Sequence, residues 1–480
     1  MKNSILLINP PLSLEERYGK DMAQFGAITE PLGLAYIAGM LEHHGIQVAI
    51  LDAQAEKMSV NLIIDQISST KDITIIGITL LTPMHGVVKR LCDRIKQSHP
   101  AILIVLGGPH CTAMKEQVLV EIESADISCI GEGELTMTAI AQLQNRAELG
   151  SIEGICYRNN GSIILNNQRP YIKDLDTIPP PARHLLPMDK YHLTASRVSG
   201  GSYCPTIIVA RGCPFSCTYC SRIFGKSLRF HSIGRILSEI NSLISIYHIN
   251  QLNIEADTLT ASKKFLTQLC RGLIDSGINK QIKWTCESRV DTVDEESLRL
   301  MKEAGCWQIS YGVETGSQRL LDKINKGTTL QQIEEVFRIT KEIGISIRGF
   351  FMLGLPEETK EESLATIEFA KKIDPLWAQF TLTTPYPGTM MFEELRQNGK
   401  INNFDWDNYN TWSGWQGRTT IPYIPEGRTI KELIELQKFA MRKFYFRPKI
   451  IVRFLISVTS IYDLKKLLNG AIVLIKSKFS

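Results

Sequence analysis

The 480-residue chain has no uninterrupted apolar run of the roughly 18 residues that a membrane-spanning helix requires. It carries little net charge, +4, beside 44% hydrophobic residues, and that combination excludes disorder as the main state. Its eleven cysteines are odd in number and unevenly spaced, so they read as reduced thiols of a cytoplasm rather than a disulfide framework. No repeat with a fixed period of about 20–50 residues and no low-complexity segment occurs. The opening Met1-Lys2-Asn3-Ser4, with Ile5–Ile8 running into Asn9-Pro10-Pro11, holds too short an apolar stretch for a secretory leader. At roughly 100–200 residues per domain, the length suggests about two to four domains, enough to bury a core without covalent staples.

The small net charge conceals an asymmetry. Residues 428–480 hold 12 Lys/Arg and 3 Asp/Glu, a net of +9, so the remainder carries −5. Basic character is concentrated in the tail, and a general nucleic-acid binder is not expected.

Up to about residue 150 the chain alternates short β-branched runs with segments of helical period. Strands are expected at Ser4–Asn9, Val48–Leu51, Ile73–Leu81, Ile102–Leu106 and Ile127–Ile130, with helices between them, notably Leu32–His44 and Val87–Ser98. Such alternation means a parallel sheet covered on both faces, with ligands at the carboxyl ends of its strands. Residues 151–171 read as a hairpin turning at Asn159-Asn160-Gly161, and 174–187 as a proline-rich linker. A second alternating block starts near Thr206. Its strands are Ile207–Ala210, Leu252–Ala256, Ile282–Glu287, Trp307–Gly312, Ser346–Leu353 and Trp377–Thr381, which suggests an open or partial barrel with its chemistry at the C-terminal strand ends.

Directly after the first of these strands stand Cys213, Cys217 and Cys220, in Ala210-Arg211-Gly212-Cys213-Pro214-Phe215-Ser216-Cys217-Thr218-Tyr219-Cys220. One short loop lets three thiolates converge on a metal centre. Four would saturate a [4Fe–4S] cluster, whereas three leave an iron open to an outside ligand. Cys204 lies before the strand, at its opposite end. A zinc site is the competing reading, but zinc usually takes paired Cys-x-x-Cys knuckles or added histidines, and only His231 follows the loop closely.

The Cys-x3-Cys-x2-Cys spacing, with an aromatic residue before the last cysteine, resembles the radical S-adenosylmethionine superfamily. The resemblance extends through Ile309–Ser317 and Gly349–Thr359 and spans roughly residues 205–385. It implies that Cys213, Cys217 and Cys220 hold a [4Fe–4S] cluster whose open iron binds S-adenosylmethionine. Electron transfer, from an external flavodoxin or ferredoxin, would then release a 5′-deoxyadenosyl radical. It further implies that Tyr219 contacts adenine through its backbone and that Glu314 binds the ribose hydroxyls. Glu255 and Asp257 match the acidic pair near the methionine amino group. Arg289 suits the methionine carboxylate in bidentate fashion, with an ordinary salt bridge as the alternative.

The preceding α/β segment resembles the cobalamin-binding class of this superfamily. Asn9-Pro10-Pro11, Thr79-Leu80-Leu81-Thr82-Pro83, Gly107-Gly108-Pro109-His110 and Gly131-Glu132-Gly133-Glu134 carry the likeness, together with the linker Pro179–Pro187. Asn9, Pro10, Thr79, Thr82, Gly107 and Gly108 are the implied cobalamin contacts. Thr79 and Thr82 offer hydroxyls, and Gly107-Gly108 permits close backbone approach. The motif Asp-x-His-x-x-Gly is absent, so no histidine is expected on cobalt. His85 and His110 read as polar loop residues.

Trp406, Trp412 and Trp415, with Phe404, Tyr409 and Tyr423 nearby, suit either the rim of a pocket for a flat or greasy substrate or interdomain packing. The basic, Ile/Leu/Phe-rich segment from Ile430 suits peripheral contact with an anionic membrane, or a capping helical pair.

The expectation is an α/β enzyme. It has a Rossmann-like cobalamin-binding domain at 1–150, a hairpin and linker at 151–200, a partial (βα)6 TIM-type radical barrel at 201–385, and an aromatic loop with a helical basic region at 386–480. Within this class it resembles methyltransferases acting on an unactivated carbon, with the magnesium-protoporphyrin monomethyl ester cyclases as the alternative. A tRNA methylthiotransferase fits less well, since Cys92, Cys111 and Cys129 are scattered over helix, loop and strand. The substrate is expected to be a small molecule or lipid-like, and the enzyme cytoplasmic with peripheral membrane contact.

Overall fold

The computed structural model describes residues 4–194, 196–198, 203–401, 403–417, 420–457 and 461–476. Its first sheet contains β1 (Ser4–Asn9), β2 (Gln47–Asp52), β3 (Ile73–Thr79), β4 (Leu103–Gly107) and β5 (Ile127–Cys129), all parallel, followed by antiparallel β6 (Ile155–Asn159) and β7 (Ser162–Leu165). The order is β2-β1-β3-β4-β5-β6-β7. Strand order therefore reverses between β1 and β3, and in doubly wound sheets the crevice at such a switch point takes the ligand. Isoleucine, leucine and valine fill both faces, and helices from Leu32–His43 to Gly133–Ala141 cover them. The β6–β7 hairpin turns at Asn160 and Gly161, both at positive φ, as a two-residue hairpin turn requires.

The second sheet holds β8 (Thr206–Ile208), β9 (Gln251–Glu255), β10 (Lys283–Ser288), β11 (Cys306–Glu314), β12 (Ser346–Leu353) and β13 (Trp377–Leu382). All pair in parallel and in chain order, and β13 does not pair with β8, so the barrel is open. Its helices are capped by the sequence itself. Thr359 and Glu362 form a reciprocal capping box at the start of Lys360–Ile373, and Asp294 with Ser297 does the same for Glu295–Glu303. Six parallel strands under helices make the larger core, centred on Trp284, Tyr311, Phe337 and Phe351.

The linker residue Arg183 ties the two units. It is buried, donates to Thr206 O at 2.6 Å and Glu239 Oε1 at 3.0 Å, and lies 3.5 Å from Glu30 Oε1. The tail begins with the helix Ile430–Tyr445, which lies on β13. Gln437 Nε2 donates to Phe380 O, and Tyr445 Oη both donates to Ala378 O at 2.8 Å and accepts from Ala378 N at 3.0 Å. Helices Pro448–Ser457 and Ile461–Lys476 follow. Among the described residues no helix is long and apolar enough to cross a membrane.

Candidate active site

The cysteine loop is launched by Gly212. Its φ is +93°, and a Cβ there would lie 2.1 Å from the Ser227 carbonyl oxygen, so no other residue fits. The loop then touches the ends of successive strands in order. The Gly212 N–H donates to Asp257 Oδ2 at 2.7 Å, and Cys213 Sγ lies 3.5 Å from Thr258 Oγ1, both just past β9. Cys217 Sγ accepts from Arg289 Nη1 at 3.2 Å, just past β10. Tyr219 Oη donates to Glu314 Oε1 at 2.9 Å, at the end of β11. Main-chain bonds fix the loop from below, Thr218 N to Ile324 O at 3.0 Å and Met391 N to Thr218 O at 2.8 Å.

The three sulfurs feel one another. Burial and the neighbouring Cys217 and Cys213 push the Cys220 thiol up to about 11. Convergent thiolates repel, and a cationic iron centre relieves that repulsion, so the donor set fits a [4Fe–4S] cluster with one open iron.

The acidic pair separates into two environments. Asp257 holds the cysteine loop, whereas Glu255 accepts from Asn253 Nδ2 at 3.2 Å and faces Glu287. Burial raises both carboxyls, and Glu287 raises that of Glu255 further. Arg289 is engaged. Its Nε and Nη2 grip Asp291 at 2.9 and 2.7 Å, its plane covers Phe215 at 3.8 Å, and it donates to Lys326 O. The fork that suits a methionine carboxylate is thus occupied by Asp291.

Glu314 is buried at positive φ, and Lys326 Nζ lies 2.8 Å from its Oε1 and 3.0 Å from Tyr219 Oη. Gly312 makes room for this triad, since a Cβ there would meet Glu314 Oε1 at 2.3 Å. Nothing in the sequence distinguished Lys326 among 54 Lys/Arg residues; only the folded chain brings it to Glu314.

At the crevice of the first sheet, Asn9 Nδ2 donates to Asp52 Oδ1 at 2.8 Å, which orients the loop through Pro10. The loops after β3 and β4 are laced together by Leu80 N to Gly107 O at 2.6 Å and His110 N to Leu80 O at 3.2 Å. Gly108 has φ +117°, and a Cβ would press on Leu80 O at 3.0 Å, while a Cβ at Gly107 would make only ordinary contact with Cys129 Cβ at 3.8 Å. Thr79 ends β3 beside Gly108, and Thr82 follows. Leu12, Leu81, Thr82, Pro83 and Pro109 present a mainly apolar wall, which fits the face of a flat macrocycle. Neither His85 nor His110 lines that wall.

Both units meet in one cavity of about 290 Å³. Thr82 and Leu12 come from the first unit, Tyr219 and Ser221 from the cysteine loop, and Tyr386 and Trp412 from the C-terminal region. The three tryptophans divide: Trp412 lines the cavity, while Trp406 and Trp415 are buried in packing.

A cysteine loop thus caps an open parallel barrel and faces a doubly wound domain across a shared cavity, an α/β architecture with two separate ligand crevices. The "B12 binding domain" family model matches residues 20–141, and the "Radical SAM superfamily" model matches residues 207–370. An uncharacterized methyltransferase of Pyrococcus horikoshii is 35% identical over 94% of each chain. The anaerobic magnesium-protoporphyrin IX monomethyl ester cyclase of Rubrivivax gelatinosus is 30% identical over 83% of this chain and 72% of its own. Among solved structures, the radical S-adenosylmethionine methyltransferase TsrM of Kitasatospora setae, with cobalamin and a [4Fe–4S] cluster bound, superposes with a TM-score of 0.70 at 17% identity, over 94% of this chain and 90% of its own. The cobalamin-dependent S-adenosylmethionine radical enzyme OxsB, with aqua-cobalamin and S-adenosylmethionine bound, gives 0.71 at 16% identity, over 98% and 72%. The chain belongs to the cobalamin-binding radical S-adenosylmethionine enzymes, and its cofactors are a [4Fe–4S] cluster, S-adenosylmethionine and cobalamin.

Proposed function

We propose that this enzyme transfers a methyl group to an unactivated carbon of a small-molecule or lipid-like substrate. The observation that carries this reading is the single cavity shared by Thr82, Tyr219 and Trp412, which brings the two cofactor walls and a third, aromatic wall together. When bound, the cluster with S-adenosylmethionine supplies a 5′-deoxyadenosyl radical for hydrogen abstraction, and cobalamin supplies the methyl group.

The chain's own residues then have defined tasks. Cys213, Cys217 and Cys220 would hold the cluster, and the Arg289 guanidinium donates a hydrogen bond to the Cys217 sulfur and so positions it. Asp257 fixes the loop that carries them, and Glu255, the last residue of β9, presents a second carboxylate beside Asn253 and Glu287. Tyr219 and Lys326 orient the Glu314 carboxylate, whose remaining lone pairs suit the ribose hydroxyls. Asn9, Pro10, Thr79, Thr82, Gly107 and Gly108 shape the cobalamin crevice. Tyr386 and Trp412 offer flat apolar surface to the cavity.

The cyclase named above, 30% identical, supports a second reading, oxidative cyclisation on the same scaffold. Incubation with S-adenosylmethionine labelled in its methyl group, dithionite and candidate substrates separates the two. Label in the product supports methyl transfer; 5′-deoxyadenosine with an oxidised, unlabelled product supports cyclisation; absence of 5′-deoxyadenosine overturns both.

A flavodoxin or ferredoxin is the proposed electron donor, and a cytoplasmic setting suits reduced cysteines. Exposed Ile451, Val452, Leu455, Ile456, Ile472 and Ile475 on a basic tail support reversible contact with anionic lipid.

A further inference from the structure

Outside the cavity just described, three helix ends of the first unit bring together two imidazoles and a carboxylate. His85 opens the helix His85–Ser98 after β3, His110 lies in Pro109–Met114 after β4, and Glu121 ends Glu116–Glu121. One ring nitrogen of each histidine and one carboxylate oxygen lie within 4.8 Å of one another. His85 Nε2 is 2.9 Å from Glu121 Oε2, and the two imidazoles stand edge to face with centroids 5.5 Å apart.

The surroundings prepare these groups as ligands. His110 is 0% exposed, its Nδ1 is paired with Thr82 Oγ1 at 3.1 Å, and its Nε2 has no partner. A buried ring nitrogen left unpaired is uncommon in a folded protein and points to a missing ligand. Glu121 is held from outside: Gln117 Nε2 donates to Oε1 at 3.0 Å and Trp406 Nε1 to Oε2 at 2.7 Å. Outer partners of this kind orient metal ligands. A cavity of about 340 Å³, bounded by His85, Lys89, Glu121, Trp406 and Asp407, adjoins the group and admits water.

We propose that His85, His110 and Glu121 bind one Zn2+ ion, with water as the fourth ligand. Two imidazoles, one carboxylate and an open position suit zinc, which takes nitrogen and oxygen ligands at about 2.0–2.2 Å. The ion clamps the Trp406 loop onto the first unit, reinforcing the bond from Gly86 N to Asp407 Oδ1 at 2.9 Å. Through the His110–Thr82 pair it also stiffens the loop that borders the central cavity.

The test uses the full chain, purified anaerobically without a histidine tag, with its cluster reconstituted so that the loop cysteines are occupied. After chelation and return of one equivalent of Zn2+, zinc X-ray absorption is expected to show a nitrogen/oxygen shell with imidazole scattering and no sulfur. His85→Gln and Glu121→Gln are expected to weaken zinc retention at least tenfold while cluster iron is unchanged. Zn2+ should raise the wild-type melting temperature and leave that of the variants unmoved. A sulfur shell, no retained zinc, or equal retention by wild type and both variants would overturn the proposal. If the variants fail to fold, the wild-type absorption spectrum alone decides. None of these readouts depends on methyl transfer, so failure here leaves the proposed function untouched.

Discussion

Arg211 donates to Glu132 Oε1 at 2.8 Å, with both side chains 3% exposed, and so locks the loop after the last parallel strand of the first sheet to the residue two before Cys213. The same guanidinium lies 2.5 Å from Glu134 Oε1, and Arg229 Nη1 lies 2.9 Å from Glu132 Oε1. Gly131-Glu132-Gly133-Glu134 is therefore a strut between the units. Removing one partner strands buried charge, which typically destabilises by about 3–5 kcal/mol. Glu132→Ala is expected to lower the thermal midpoint by several degrees and to reduce cluster iron after reconstitution, measured by calorimetry and iron assay. An unchanged midpoint would contradict the strut.

Anaerobic reconstitution is expected to give about four irons per chain beyond any zinc. Cys217→Ala should abolish reductive cleavage of S-adenosylmethionine, and full activity in that variant would remove the loop from the active site. Lys326→Met keeps the cysteines but leaves Glu314 without its cation. We expect at least a tenfold rise in the S-adenosylmethionine concentration for half-maximal cleavage, with iron content unchanged.

Cobalt ligation follows from the crevice wall, which among the described residues includes no imidazole. Bound cob(II)alamin should give an electron paramagnetic resonance spectrum without nitrogen splitting from the protein. Splitting that vanishes in a His85 or His110 variant would place those rings on cobalt and refute both this expectation and the zinc site.

Glu358 supplies a pH signature. Burial raises its carboxyl from the usual 4.5 to about 7, against the opposing Gly354 and Leu355 N–H bonds. A raised folded value means that the folded state holds the proton more tightly. Its stabilising share is complete below about pH 4.5 and is lost as pH rises through about 7. Relative to wild type, Glu358→Gln should be near neutral at pH 5 and more stable at pH 8, by about 3 kcal/mol at most. Parallel pH–stability curves for the two proteins would refute the assignment.

The tail separates into a structural and an exposed part. Arg447, Lys449 and Arg453 converge on buried Asp374 at 3.2, 2.8 and 2.9 Å, so removing residues from 449 onward would leave Arg447 as the one remaining cation of the three and weaken the tail's hold on the barrel. Ile456 is 77% exposed and Leu455 53%. Leu455→Glu with Ile456→Glu should abolish co-sedimentation with anionic liposomes at low salt while leaving the melting temperature within a few degrees. Wild type should be released near 0.5 M salt, where the screening length is ~4 Å. Sedimentation that persists in the double variant would exclude the membrane surface.

Periodicity made the strands and most helices legible, because parallel strands buried on both faces leave nearly continuous apolar runs. The Asn160-Gly161 hairpin and the cysteine loop were legible for the same reason: local geometry demands those residues. What pairs across long sequence distances was not. Arg183 sat unnoticed in a proline-rich linker, Lys326 in an ordinary turn, and Glu132 in a motif that suggested ligand contact rather than a strut. His85, His110 and Glu121 come from three separate helix ends, and no spacing rule joins them. Arg289 suits a methionine carboxylate by its type and its place after a strand, but Asp291, two residues on, occupies that fork in the folded chain.

An open barrel leaves the far side of β13 without a strand partner, and exposed rows of main-chain donors and acceptors invite a second chain to add on. Tyr445 meets this at Ala378 by satisfying both the N–H and the C=O with one hydroxyl. The helix that carries it thus acts as a stopper against edge-to-edge self-association. Tyr445→Phe removes only an oxygen atom, yet it reopens that pairing site, and its signature would be concentration-dependent aggregation rather than lost catalysis.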